Sequence, residues 1–150
     1  MANITNVPSS YGNSPVSASI SDTAIGLSLP IDKGPLGYFA STYTTIEQAK
    51  TNLQNLILTI PGERVMHPSL GSSLKRVLFE PVIDEESLTE VVDNLIRDDV
   101  ETWLPYLNID TLNVAWDENN HLVTIDLTIS LKSDPTVKDT LYVAISNGDI

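Results

Sequence analysis

The apolar pattern of this chain changes period once, near Pro105, and that change restricts the possible folds more than any other feature. Upstream, Leu88, Val91, Val92, Leu95, Ile96, Val100 and Trp103 fall on one stripe of a helix nearly twenty residues long. Asp84 is placed to cap it, Glu85 and Glu86 suit its positive N-terminal end, and Pro105 lies just past its end. Downstream the period is two. Val123, Ile125, Leu127, Ile129 and Leu131 alternate with Thr124, Asp126, Thr128 and Ser130, as a strand with one buried face requires. Its partner is expected over Leu107 to Trp116, joined through the polar loop Asp117-Glu118-Asn119-Asn120-His121. Leu107 and Ile109 share one parity while Leu112, Val114 and Trp116 share the other, so a bulge near Asp110 is needed to keep the apolar side inward. After a loop at Lys132-Ser133-Asp134-Pro135, Leu141, Val143 and Ile145 alternate with Thr140, Tyr142, Ala144 and Ser146, which predicts a third strand.

Two more helices precede the long one. Ile46, Ala49, Leu53, Leu56 and Ile57 recur at helical spacing, and Thr44 with Glu47 forms a capping-box start. Leu74, Val77 and Leu78 make one face of a short helix that Pro81 stops. The expected fold is α+β: two main helices and a short helix packed on a small, largely antiparallel sheet. Residues 1–43 are read as an extended arm and lead-in, and 44–150 as one domain of ordinary core size. Met1 to Ser21 contains no charged residue and is a mixture rich in Ser, Asn, Pro and Gly with scattered Ile and Val. Such a segment suits either an arm lying on its own domain or on a neighbour, the latter being favoured, or a merely floppy terminus.

Composition narrows the chemistry. With 8 basic and 20 acidic residues the formal net charge is -12, a field that repels polyphosphate, so nucleic acid is not an expected partner. Absence of cysteine removes disulfides, thiolate metal sites and thiol catalysis, and fits assembly in a reducing cytoplasm. The N-terminus lacks a basic segment followed by an apolar run, and nowhere do 18 apolar residues follow one another, so no membrane partner is expected. His67 and His121 have no second ligand at suitable spacing, and glycine-rich phosphate loops, nucleophile elbows and dinucleotide fingerprints are absent. No metal or cofactor is implied, and His67 is expected to pack in its loop.

The densest set of turn signals is Thr59-Ile60-Pro61-Gly62-Glu63-Arg64-Val65-Met66-His67-Pro68-Ser69-Leu70-Gly71. Pro61-Gly62 is a turn dipeptide, Pro68 pushes His67 toward an extended conformation, and Gly71 permits a further turn. Together with Leu78-Phe79-Glu80-Pro81, this run resembles the baseplate wedge proteins of contractile-tailed phages, a family that includes the sheath initiator and a related baseplate component of type VI secretion systems. The similarity extends from about Asp22 to the C-terminus. One departure stands out: where the family carries a Glu-Pro-Arg triplet after its long helix, this chain reads Leu104-Pro105-Tyr106.

The resemblance implies a structural part of a tail baseplate in the virion. Its partners would be other wedge proteins, the tail sheath subunit and, beyond those, tail tube or hub proteins. It also implies that the C-terminal strand, with Leu141, Tyr142, Val143 and Ile145, exchanges strands with the first sheath ring. Unpaired backbone at a sheet edge can serve that purpose. A role in a type VI secretion or other contractile injection baseplate is the neighbouring reading. Glu63 and Arg64 either order their loop or reach a partner carboxylate. Leu104, Pro105 and Tyr106 mark a drier contact, whereas Phe79 and Trp103 are read as core aromatics. Because the family has carried a lysozyme-like label, glycoside hydrolysis is an alternative. It needs two carboxylates at a set separation, and Glu63, Glu80 and Asp84 show no recognisable pairing, so no catalytic residue is assigned.

Overall fold

The computed structural model describes residues 23–34, 39–78, 85–117 and 122–146. In chain order these form β1 (Gly26–Leu27), β2 (Ser41–Thr42), α1 (Thr45–Leu58), α2 (Leu74–Leu78), α3 (Glu85–Trp103), β3 (Leu107–Asp117), β4 (Leu122–Leu131) and β5 (Asp134–Ser146). The sheet β3-β4-β5 is an antiparallel meander, and β1 pairs with β2 as a separate two-stranded ribbon. The α+β expectation holds.

Each long element forms for a reason visible in its residues. Thr44 begins α1 with a complete capping box: its hydroxyl accepts from the Glu47 N–H at 3.3 Å, and the Glu47 carboxylate accepts from the Tyr43 and Thr44 N–H groups at 3.0 and 3.2 Å. Ile46, Ala49, Leu53, Leu56 and Ile57 are all buried, as their spacing predicts. In α3, Leu88, Val92, Ile96 and Val100 are buried at four-residue intervals, with Leu95 and Trp103 packed against the core. Val91 departs from the predicted stripe and is 46% exposed. The four-residue row at Leu88, Val92, Ile96 and Val100 takes the core face, and Val91 lies to one side of it. The Asp84 cap, Phe79 and most of the Asp117-to-His121 loop fall outside the described residues.

The inner sheet face supplies Val123, Ile125, Leu127 and Ile129 from β4, Leu107 and Ile109 from β3, and Val137, Leu141, Val143 and Ile145 from β5. Helix α1 packs chiefly on β5 and α3 on β3, giving two layers. The irregularity expected near Asp110 is present, since register shifts between Ile109 and Thr111. It lets Leu107 and Ile109, and then Leu112 and Val114, face the same side. The Asp110 carboxylate uses the irregular position to tie the strands together. It accepts from Asn108 Nδ2 at 2.9 Å and Ser130 Oγ at 3.2 Å, and it pairs with Lys138 Nζ at 2.7 Å. On the helix side, Arg97 is held by both oxygens of Asp93 at 2.9 Å and donates to the Ile109 carbonyl at 3.2 Å.

One sequence expectation is corrected at the β4-β5 junction. Lys132-Ser133-Asp134-Pro135 is not a four-residue loop: Leu131 pairs with Asp134 across a two-residue turn, and β5 runs thirteen residues. The Lys132 N–H donates to the Tyr106 carbonyl at 2.9 Å, anchoring that turn to the start of β3.

Two carboxylates give opposite pH signatures. Burial raises the Asp99 carboxyl above the usual aspartate range, the Ser72 hydroxyl hydrogen bond opposes that rise, and neighbouring Asp98 adds to it. The folded state therefore holds the Asp99 proton more tightly than the unfolded chain. Its contribution to stability is present in acid and is lost as pH rises through the raised value. Lys138 leads the effects that hold Asp110 below the usual range, so the Asp110 contribution is present above the ordinary aspartate value and is lost as pH falls through the lowered one. Thermal melts should show Asp99→Asn stabilised at pH 7 by less than about 4 °C, allowing for the solvent that still reaches the group. That gain should shrink toward acid pH, and a lower Tm at pH 7 would contradict the assignment.

Candidate functional site

The candidate interface residues are distributed around α1, and the polar flank of that helix explains how they are held. Gln48, Asn52 and Asn55 are spaced four and three residues apart and so share one side of α1. Gln48 receives a hydrogen bond from Thr42 Oγ1 at 2.6 Å and donates through Nε2 to Asn52 Oδ1 at 2.8 Å. Asn52 Nδ2 then donates to the Tyr106 hydroxyl at 3.0 Å, and Asn55 Oδ1 accepts from Arg64 at 2.9 Å. One row of amides thus fastens the β1-β2 ribbon, the start of β3 and the loop after α1. Gly26 belongs to the same arrangement, because a Cβ there would meet the Gln48 amide. The sequence analysis singles out none of these amides. Their spacing was the available signal.

In the loop after α1, both predicted residues are engaged within the chain. The Glu63 carboxylate accepts from the Ile60 N–H at 3.1 Å, and Arg64 reaches Asn55. Gly62, at φ 95°, forms the turn after Pro61, and its N–H donates to the Pro68 carbonyl at 2.7 Å. Gly71, at φ 138°, sits where a Cβ would lie 2.6 Å from the Thr59 carbonyl oxygen. His67 is exposed instead of packed in the loop, because the turns are closed by backbone groups and need no side chain to fill them.

At the Leu104-Pro105-Tyr106 position, Leu104 is buried in the core, Pro105 is exposed, and Tyr106 is 40% exposed with its hydroxyl tied to Asn52. On β5, the side chains of Leu141, Val143 and Ile145 are buried in the chain's own core, while Tyr142 points outward and is 60% exposed. What β5 has to offer a partner is therefore its backbone edge and Tyr142. Strand β5 is an outer strand, and no described strand pairs with its other side. The Thr140 N–H is held by the Asp139 carboxylate at 2.7 Å, so that amide points away from β4. By strand alternation the amides of Tyr142 and Ala144 point the same way. Asp139 also pairs with Lys50 of α1 at 3.1 Å, joining this edge to the helix.

Of the carboxylates considered for hydrolysis, Glu63 lies on an exposed loop bound to a backbone amide, and Glu80 and Asp84 fall outside the described residues. A shallow depression lined by Thr89, Glu90, Asp93, Arg97 and Leu112 contains two more, with Asp93 engaged by Arg97. Among the described residues, no cluster of His, Asp or Glu is arranged to hold a metal ion, and no helix is long and apolar enough to cross a membrane.

An α+β core with an outer strand and a braced loop defines a small module with surfaces to offer. The family model described as baseplate wedge protein gp25 matches residues 45–136, well over half of the chain, and the chain belongs to that family. No curated protein sequence matches it significantly. Among solved structures, a candidate tail lysozyme from Geobacter sulfurreducens superposes with a TM-score of 0.61 at 18% identity, covering 70% of this chain and 93% of the other. A chain of the anti-feeding prophage baseplate has a TM-score of 0.50 at 19% identity, covering 81% of this chain and 87% of that one. A chain of the pyocin R2 baseplate after contraction aligns over 79% of this chain and 97% of its own length at 18% identity, with a TM-score of 0.45. The first two similarities establish a shared fold.

The amide row makes a measurable claim. Asn52→Ala should cost roughly 0.5 to 1.5 kcal/mol for each hydrogen bond removed, and Tyr106→Phe should cost less. In a double-mutant cycle followed by urea denaturation, the two should couple by at least about 0.5 kcal/mol. Simple additivity would show that the Asn52-Tyr106 contact carries no stability.

Proposed function

We propose that this chain is a structural subunit of a contractile tail baseplate wedge, which docks to other wedge proteins and offers the outer edge of β5 to the first sheath ring. Family membership supports the baseplate assignment. The single observation that supports strand exchange is an outer strand whose inner side chains are fixed in the core while alternate amides face outward. Strand addition needs that combination: a rigid template with unsatisfied main-chain groups. Docking to wedge neighbours would use Pro105 and Tyr106 together with the Glu63-Arg64 loop, both fastened to one flank of α1. Several modest contacts made together give an avidity that a domain of this size cannot reach through one. The sheath subunit, with tube or hub proteins beyond it, completes the proposed set of partners, in the baseplate of a virion assembled in the host cytoplasm. The task is assembly rather than catalysis. A related contractile injection system would use the same surfaces in the same way.

Removing β5 would test this reading poorly, because the strand supplies Leu141, Val143 and Ile145 to the core. A cleaner variant is Ala144→Pro, which deletes one outward amide and leaves the bonds to β4 in place. The purified variant should keep a cooperative melt within a few degrees of wild type, yet support at least about tenfold less sheath polymerisation on purified baseplates. Normal sheath growth from a folded Ala144→Pro protein would refute the strand-exchange proposal.

A further inference from the structure

Strand β3 is the second outer strand of the meander, and no described strand pairs with its far side. The direction of its main-chain groups follows from its pairing. The Lys132 N–H bonds to the Tyr106 carbonyl, so two residues along each strand the groups of Asn108 and Ser130 also turn toward each other. By the same alternation along β4, Thr128, Asp126 and Thr124 turn their groups toward Thr111, Asn113 and Ala115. Leu112, Val114 and Trp116 therefore direct theirs outward. Nearer the start of the strand, the outward carbonyl of Ile109 is already taken by Arg97 at 3.2 Å, so the open run begins past the irregularity, at Leu112. Folded proteins guard such an edge with Pro, Lys or another charge. Thr111-Leu112-Asn113-Val114-Ala115-Trp116 contains none of these.

Helix α3 runs beside this edge and leaves the depression lined by Thr89, Glu90, Asp93, Arg97 and Leu112. Leu112 and Val114 are only partly buried. Glu90, Asp93 and Arg97, three and four residues apart, form one row along α3. Arg97 is committed to Asp93 and to the Ile109 carbonyl, whereas Glu90 is exposed and has no partner of opposite charge among the described residues. The edge is thus an open backbone template beside an acidic wall.

We propose that the β3 edge from Leu112 to Trp116 receives an extended segment of a different tail protein, with a Lys or Arg directed at Glu90 and an apolar residue against Leu112. This rests on the baseplate reading and not on strand exchange at β5. Main-chain donors and acceptors repeated along an edge select another backbone. The row on α3 selects the side chains: residues two apart on the added strand face the same side, so one can meet Glu90 while the other covers Leu112. The chain's own remaining segments do not fit. All eight of its Lys and Arg residues lie in described segments, and no described strand pairs at this edge. A second copy would bring a net charge of -12 to a groove that is itself acidic, which opposes self-pairing, and anionic lipid is repelled for the same reason.

Amide exchange at Leu112 and Val114 should be fast in the isolated chain and at least about tenfold slower in purified tails. Unchanged exchange in tails that contain the chain would overturn the proposal and leave the baseplate reading intact, whereas absence of the wild-type chain from tails would overturn both. Because the chain has no cysteine, Asn113→Cys, at an exposed position of β3, can carry a benzophenone maleimide on its only thiol. Irradiated tails should yield a crosslink to a peptide of another tail protein that contains Lys or Arg. A crosslink to this chain's own sequence, or only to peptides without a basic residue, would overturn the occupant, as would protection of Leu112 and Val114 by phosphatidylglycerol vesicles. Glu90→Lys should leave Tm unchanged within about 2 °C, since Glu90 is exposed, yet lower the protection in tails at least about tenfold, while Glu90→Asp retains it. Exclusion of a normally melting Glu90→Lys chain from tails that admit Glu90→Asp would count as that loss. If Glu90→Lys melts lower, Glu90→Gln provides the same comparison. Full protection in tails carrying the charge-altered variant would refute a basic partner.

Discussion

The rest of the structure depends on α1 being two-sided. A three-stranded meander needs an apolar layer against one face to be stable in water. Ile46, Leu53, Leu56 and Ile57 contribute to that layer while α1 packs along β5. The opposite requirement, that the chain present surfaces outward, is met on the same helix by the row Gln48, Asn52 and Asn55. This row fixes a ribbon, a strand start and a loop without burying them. Lys50 adds a link to β5 through Asp139. One fourteen-residue helix, begun by a capping box, therefore sets both the core and the positions of the proposed contact surfaces.

A second constraint lies opposite, where β3 changes phase. The shift at Ile109/Thr111 keeps two apolar sets of opposite parity on one face, and Asp110 turns the irregularity into a fastening across all three strands. Arg97 of α3 reaches the Ile109 carbonyl at the same place. Bulges bend a strand and increase its twist. This one is braced from both the sheet and the helix, so β4 and β5 are held in a fixed relation to α3. A strand offered at the edge of such a sheet is a rigid template.

Much of this was legible in the residues because the deciding physics is local. The switch of apolar period, the Thr44-Glu47 capping box and the parity conflict around Asp110 each sit within a few residues, and the structure contains all three. Tertiary contacts hid the rest. Val91 fits the helical stripe but lies beside the buried row. The first residues of β5 carry no alternation, so its start at Asp134 depends on pairing with Leu131. Glu63 and Arg64 attract notice as charges, yet the loop's exposed crest is Val65 and Met66, which hydrophobicity alone would place inside. The role of the α1 amides is not legible in the sequence because their partners Thr42, Arg64 and Tyr106 lie in other elements, 6 to 54 residues away along the chain. Leu141, Val143 and Ile145 were proposed alongside Tyr142 as contact residues, and only the fold separates the inward side chains from the outward amides.

The central claim is that this protein acts through a backbone edge held rigid by its own core. Amide hydrogen exchange, measured on the isolated chain and on the chain within assembled tails, tests it most directly. The account predicts slow exchange at Leu141, Val143 and Ile145 in both states, with Tyr142 and Ala144 fast in isolation and strongly protected in the tail. Identical exchange at Tyr142 and Ala144 in the two states would contradict it.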